Sequence, residues 1–167
     1  MQIRKEKIED IQGVRRVNEL AFGTPAEADL VDALRGQAQP TISLVADEGG
    51  EIVGHIMFSP VDLSGHPDLK IMGLAPMAVL PIYQRTGIGT KLVRAGLEEC
   101  ENLEFGAVVV LGHPEYYSRF GFVPSSSFEL SCEYEVPDDV FMAREIQEGY
   151  LRGATGIITY HAAFSAV

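Results

Sequence analysis

The run Val79-Leu80-Pro81-Ile82-Tyr83-Gln84-Arg85-Thr86-Gly87-Ile88-Gly89-Thr90 decides the fold. A β-rich stretch, Lys70 to Leu80, leads into it through Met77, Ala78 and Val79. Beyond it Ile88, Leu92, Val93, Leu97 and Cys100 recur at helical spacing. The reading is a strand, a glycine turn and a helix. That arrangement aims successive backbone N–H groups and the positive end of the helix dipole at one point, where a phosphate binds with little help from side chains. Gly87 and Gly89 allow close approach of the backbone, and Arg85 adds a charged contact. The plainer alternative is a glycine connection into a core helix.

Two common phosphate motifs fail on spacing. A P-loop needs lysine directly after its last glycine, whereas Gly89 is followed by Thr90 and then Lys91. A dinucleotide fingerprint needs a third glycine where Leu92 stands.

Outward from the loop the elements alternate. Gln2 to Lys5 reads as an opening strand. Ile8, Ile11, Val14, Val17 and Leu20 give an amphipathic helix ending near Phe22-Gly23. Thr24-Pro25-Ala26-Glu27 opens a second helix, with Thr24 as N-cap, Pro25 at the first position and Glu27 as the reciprocal acceptor. Ile42 to Asp47 and Glu51 to Val61 form a hairpin turning at Gly49-Gly50. Pro76 requires a bulge or an unpaired stretch in the strand that ends at Leu80. Ala107 to Leu111 suits a strand covered on both faces. Pro114 to Arg119 is a short helix stopped by Gly121. Strands follow near Phe128 to Val136, Phe141 to Ile146 and Thr155 to His161. With no repeat or linker, residues 1–167 read as one α/β domain, a mixed sheet with helices on both faces.

The glycine loop resembles the coenzyme A loop of the GNAT superfamily of N-acetyltransferases, whose pattern is [QR]-x-x-G-x-[GA], here Gln84-Arg85-Thr86-Gly87-Ile88-Gly89. A second family landmark is matched by Tyr116-Tyr117-Ser118-Arg119-Phe120-Gly121-Phe122. The two occur in the family's order, with a helix and an apolar strand between them. The resemblance implies a GNAT-like mixed central sheet with a V-shaped splay between two parallel strands. It implies that acetyl-CoA is the co-substrate, its pyrophosphate on the amides of Arg85, Thr86, Gly87, Ile88, Gly89 and Thr90. The pantetheine arm would lie along Met77 and Val79, and the amide of Val79 or Ala78 would hold the oxyanion. Tyr117 would protonate or hydrogen-bond the departing sulfur. Phe120 would cover the coenzyme arm or serve in the core. The acceptor would be a small-molecule or peptide amine, attacked directly in a ternary complex. A catalytically weak acyl-CoA sensor is the alternative.

No general base carries over from the family. Some members have a strand glutamate at the position of Gly73, and the asparagine often found before the tyrosine is Val110 here. Glu27, His55, His113 or a water chain could serve.

The bulk numbers agree with this reading. The formal charge is −11 and the pI about 4.7, which disfavours nucleic acid and either favours a cationic small substrate or basic peptide or serves solubility alone. Cys100 and Cys132 lack CxxC spacing and read as two buried reduced thiols, with no metal site. Met1 to Lys7 is too polar for a signal peptide, and no apolar run approaches the roughly 20 residues of a membrane span. The expected location is the cytoplasm. A terminal strand would offer an edge for pairing two copies as a homodimer.

Overall fold

The computed structural model describes residues 1–166. Its elements are strands β1 (Gln2–Lys5), β2 (Ile42–Glu48), β3 (Glu51–Leu63), β4 (Ile71–Val79), β5 (Ala107–Leu111), β6 (Val123–Pro124), β7 (Leu130–Cys132), β8 (Phe141–Glu145) and β9 (Gly156–Thr159). The helices are α1 (Ile11–Phe22), α2 (Ala26–Gln37), α3 (Ile88–Asn102) and α4 (Pro114–Tyr117). The chain forms two compact units and passes between them within β3, β4 and α3 and after His161.

The first unit comprises residues 1–59 and 75–96 and the C-terminal turn from Ala162. Here β1 pairs antiparallel with β2, and β2 with β3. The β2–β3 hairpin turns at Gly49 and Gly50, both at positive φ, as the glycine pair requires. Leu30, Val31 and Leu34 of α2 are buried, the stripe that the spacing predicts, whereas the stripe expected for α1 holds only at its centre: Val14 and Val17 are buried, Leu20 is 51% exposed, and Ile8, 86% exposed, lies in a 3₁₀ turn ahead of the helix. α1 ends where Gly23 turns left-handed at φ 77° and its N–H returns to the Glu19 carbonyl at 2.9 Å. Ile88 and Leu92 rest on β3 because position 54 has no side chain. A Cβ on Gly54 would lie 3.0 Å from Ile88 Cγ2 and 3.1 Å from Leu92 Cδ1. The strand thus seats the first turns of α3, and the burial of Leu92 and its neighbour Val93 is worth about 1.5–3 kcal/mol each.

The second unit comprises residues 60–74 and 97–161. β4 and β5 run parallel in the register Ile71↔Ala107, Met72↔Val108 and Gly73↔Val109, where the pairing stops. β8 lies antiparallel between β5 and β6. A smaller arm pairs the end of β3 with β9, and β9 runs parallel to β7. Val108, Val109 and Val110 are buried throughout, the signature of a strand covered on both faces.

Most of the expected elements form. One does not: the strand expected near Phe128 to Val136 shrinks to Leu130–Cys132, preceded by a 3₁₀ turn over Ser125–Phe128. Glu129 takes a left-handed φ of 60° there, and Glu133-Tyr134-Glu135 carries no ladder beyond the N–H of Glu133 to Ile158. The cap of α2 also differs. Its helix begins at Ala26, with Pro25 as the capping residue; Thr24 Oγ accepts the Ala26 N–H at 3.3 Å and donates to Glu27 Oε1 at 3.2 Å. Glu27 thus bonds the Thr24 hydroxyl instead of closing a capping box through the backbone.

Candidate active site

Between β4 and α3 the chain makes a 3₁₀ turn at Pro81–Tyr83, with Leu80 anchored through its N–H to Val53 O at 2.9 Å. Gln84 Nε2 donates back to Val79 O at 3.0 Å, and the Thr86 hydroxyl donates to Tyr83 O, so both side chains brace the turn. Arg85 at φ 64° and Gly87 at φ 90° bend the backbone into a left-handed curl. Successive N–H groups in such a curl point to one side and form an anion nest. The Tyr83 and Gln84 amides are used internally, and the ladder resumes at Lys91, whose N–H reaches Gly87 O at 3.2 Å. Between them, the N–H groups of Arg85, Thr86, Gly87, Ile88 and Gly89 donate to no other described residue. A Cβ on Gly87 would meet nothing within 4 Å, so the glycine is demanded by φ and not by packing. Pro81, Ile82 and Gln84 to Gly87 are exposed, Tyr83, Gly89 and Thr90 are partly buried and Ile88 is buried, while Met77 and Val79 of β4 are half-buried and Ala78 is buried.

In the second unit, α4 leaves β5 through Gly112, His113 and Pro114. The Tyr116 and Tyr117 N–H groups both reach His113 O at 3.1 Å. The Tyr117 ring lies over Gly112, where a Cβ would collide with it. Its edge meets Tyr116 at 5.0 Å and Phe122 at 5.7 Å between centroids, and Phe120 lies at 6.4 Å. Burial, with a smaller contribution from Tyr116, raises the Tyr117 phenol well above the ordinary tyrosine value. The ring is therefore a neutral O–H donor at physiological pH. Tyr116 is the less buried of the pair, with Arg119 stacked 5.2 Å over it. Phe120 is 6% exposed.

The candidate bases separate cleanly. His55 is fully buried, held by Asn18 Nδ2 at 3.2 Å on Nδ1 and by Ser43 Oγ at 2.9 Å on Nε2. Burial first, and then Arg35, push it down to about 3. It reaches no solvent and cannot take a substrate proton, so it leaves the list. Glu27 is half-buried on the Thr24 hydroxyl, and His113 is exposed at the start of α4. Gly73 is closed as well as bare: a Cβ there would lie 2.9 Å from both Tyr160 Cε2 and Val61 Cγ1. Tyr160, just past β9, fills the volume a strand carboxylate would need. The sequence carries no signal for this, because the two residues meet only through the β3–β9 pairing.

Cys100 is buried and its thiol is pushed up to about 12, whereas Cys132 is only partly buried, so the expectation of two buried thiols holds for the first alone. Among the described residues, no group of His, Cys, Asp and Glu is gathered to hold a metal ion, and no helix is long and apolar enough to cross a membrane.

Residues 2–124 match a family model described as an acetyltransferase (GNAT) domain. The chain is 37% identical to an uncharacterized N-acetyltransferase, YhbS, of Escherichia coli (strain K12), over 99% of each chain. It superposes with a TM-score of 0.92 on the crystal structure of YhbS in complex with CoA, at 36% identity, covering 98% of this chain and 91% of that one. A GNAT family acetyltransferase from Brucella melitensis in complex with acetyl-CoA gives a TM-score of 0.80 at 37% identity, covering 98% and 97%. With the strand-loop-helix grip and the tyrosine segment both in place, the chain belongs to the GNAT family and is an N-acetyltransferase.

Proposed function

We propose that this enzyme binds acetyl-CoA on the turn from Arg85 to Thr90 and passes the acetyl group directly to an amine in a ternary complex. The observation that carries the reading is the set of donors from Arg85 to Gly89 that no described residue uses, at the start of a fifteen-residue helix. The CoA and acetyl-CoA complexes of the two similar proteins support the same co-substrate.

The chemistry needs few protein groups. A deprotonated amine attacks the thioester carbonyl carbon, and the carbonyl oxygen takes the charge, held by the amide of Val79 or Ala78. The C–S bond then breaks, the acetyl group stays on nitrogen, and Tyr117 donates its phenolic proton to the leaving thiolate. The amine's own proton goes to water, Glu27 or His113. Met77 supplies backbone to the pantetheine arm, and Phe120 shields it.

Mixing the purified protein with acetyl-CoA and a panel of amines, and measuring free thiol, tests this reading. Amine-dependent thiol release is expected, as is a thermal shift with CoA and none with ATP or NAD. CoA binding without thiol release for any amine would leave a sensor instead, and stabilisation by ATP or NAD would overturn the loop assignment.

A further inference from the structure

Where β5 gives way to α4, backbone and ring come into direct contact. Gly112 directly follows β5 and is pinned on one side. Its N–H donates to Val140 O at 3.0 Å, and Leu111 before it is in register with Phe141 of β8. Against it lies the Tyr117 ring. A Cβ at position 112 would collide with Cε2 of that ring, and would stand 2.8 Å from Cδ2 and 3.4 Å from Cζ, the carbon that bears the hydroxyl. Ordinary contact between carbons is about 3.5–4.0 Å. The φ of Gly112 lies outside the left-handed region, so backbone conformation alone would accept alanine. The ring is what excludes a side chain.

Other neighbours hold the same ring, all within the second unit. Tyr116 and Phe122 meet it edge-on with centroids at 5.0 and 5.7 Å, and Phe120 stands at 6.4 Å. The backbone beneath it is fixed by the Tyr117 N–H on His113 O at 3.1 Å and by the Tyr117 carbonyl, which accepts the Phe122 N–H at 3.4 Å. A close-packed ring of this kind has little free volume to move into. A side chain at position 112 would therefore push the ring, and the hydroxyl with it, by roughly 1 Å to restore ordinary contact. No reacting group would change its chemistry.

We infer that Gly112 is a positioning residue for acyl transfer: by lacking a side chain it gives the Tyr117 ring a bare backbone seat, and that seat sets where the hydroxyl stands. The inference rests on the acyl-transfer reading above, in which that hydroxyl gives its proton to the departing thiolate. Gly112 itself touches neither substrate nor cofactor and acts through Tyr117 alone. The effect is steep, because a general acid works only within hydrogen-bond reach of its acceptor, about 2.6–3.2 Å between oxygen or nitrogen partners. A misplacement of about 1 Å costs about 10²-fold in rate.

Gly112→Ala tests this in the purified enzyme with acetyl-CoA and an amine that releases thiol. kcat should fall by about 10²-fold, while KM for acetyl-CoA and the thermal shift with CoA stay as in the native enzyme, a split that a general loss of packing does not produce. In a Tyr117→Phe background the same substitution should change kcat by no more than about twofold, because the hydroxyl it displaces is already gone. Gly106→Ala is the control: it drives a Cβ into the Tyr150 ring in the same unit, and should lower the melting temperature while leaving kcat in place. A native kcat in folded Gly112→Ala, a full further loss in the Tyr117→Phe background, or an equal loss in Gly106→Ala overturns the inference and leaves acyl transfer standing. A native enzyme that releases no thiol with any amine, or a Tyr117→Phe variant that turns over like the native one, defeats the underlying reading and the inference with it. Where Gly112→Ala does not fold, the native enzyme decides. Magnetic resonance of ring-labelled tyrosine should show slow flipping of the seated Tyr117 ring, with separate signals for its two ε positions, and fast flipping overturns the inference.

Discussion

At the scale of single residues, Tyr117 and Gly87 carry the most weight and their roles can be separated. Tyr117→Phe keeps the ring that packs on Gly112, Tyr116 and Phe122 and removes only the hydroxyl. Turnover should fall by about 10²-fold, the usual contribution of a positioned acid, with affinity for CoA and thermal stability nearly unchanged. Equal loss of turnover and CoA affinity would make Tyr117 a packing or binding residue. At Gly87 a valine meets open space but must adopt a φ near 90°. Strain of about 1–2 kcal/mol follows, well short of unfolding a domain held by about 5–15 kcal/mol. Gly87→Val should therefore abolish the thermal shift with CoA while the protein remains folded. A folded variant that still responds to CoA would contradict the nest. The sequence motifs single out both residues. The sealing of Gly73 by Tyr160 was not legible there, since a contact between distant strands leaves no local pattern.

At the scale of elements, burial decides what a polar residue means. His55 lies in the apolar run of β3, and a sequence cannot say whether such a histidine faces a cleft or the core. The structure answers through a directional chain. Asn18 Nδ2 donates to Nδ1, Nε2–H donates to Ser43 Oγ, and the Ser43 hydroxyl donates to Glu6 Oε1 at 3.0 Å, which Arg35 neutralises. This fixes a neutral tautomer and ties β3 to α1 and α2. The folded-state pKa lies far below the ordinary 6.5, so the unfolded chain takes up a proton that the folded protein refuses. Stability is complete above about pH 6.5 and should decline by about 1.4 kcal/mol per pH unit below it. Asp10 and Asp47, lowered respectively by the Arg4 side chain and chiefly by the Gly50 N–H, lose their contribution only at more acid pH. Denaturant melts between pH 7 and pH 5 should show the slope in the native protein and a flatter one in His55→Gln. An identical slope in both would deny His55 its place in the core.

At the scale of the molecule, what the sequence made legible was periodic or punctuated. α1, α2 and α3 follow from apolar stripes, the β2–β3 hairpin from Gly49-Gly50, and the turn between β4 and α3 from its glycines. The stretch from Ser125 to Val140 has none of these signals. It is short-stranded, acidic and aperiodic, and of the strand expected near Phe128 to Val136 only Leu130–Cys132 forms. The account as a whole depends on the amides that follow Gln84. The most direct measurement is an amide spectrum of isotope-labelled protein titrated with CoA. The account predicts that the resonances of Arg85, Thr86, Gly87, Ile88 and Gly89 move most and become protected from exchange. Saturation with CoA that leaves those five amides unmoved, while others shift, would contradict it.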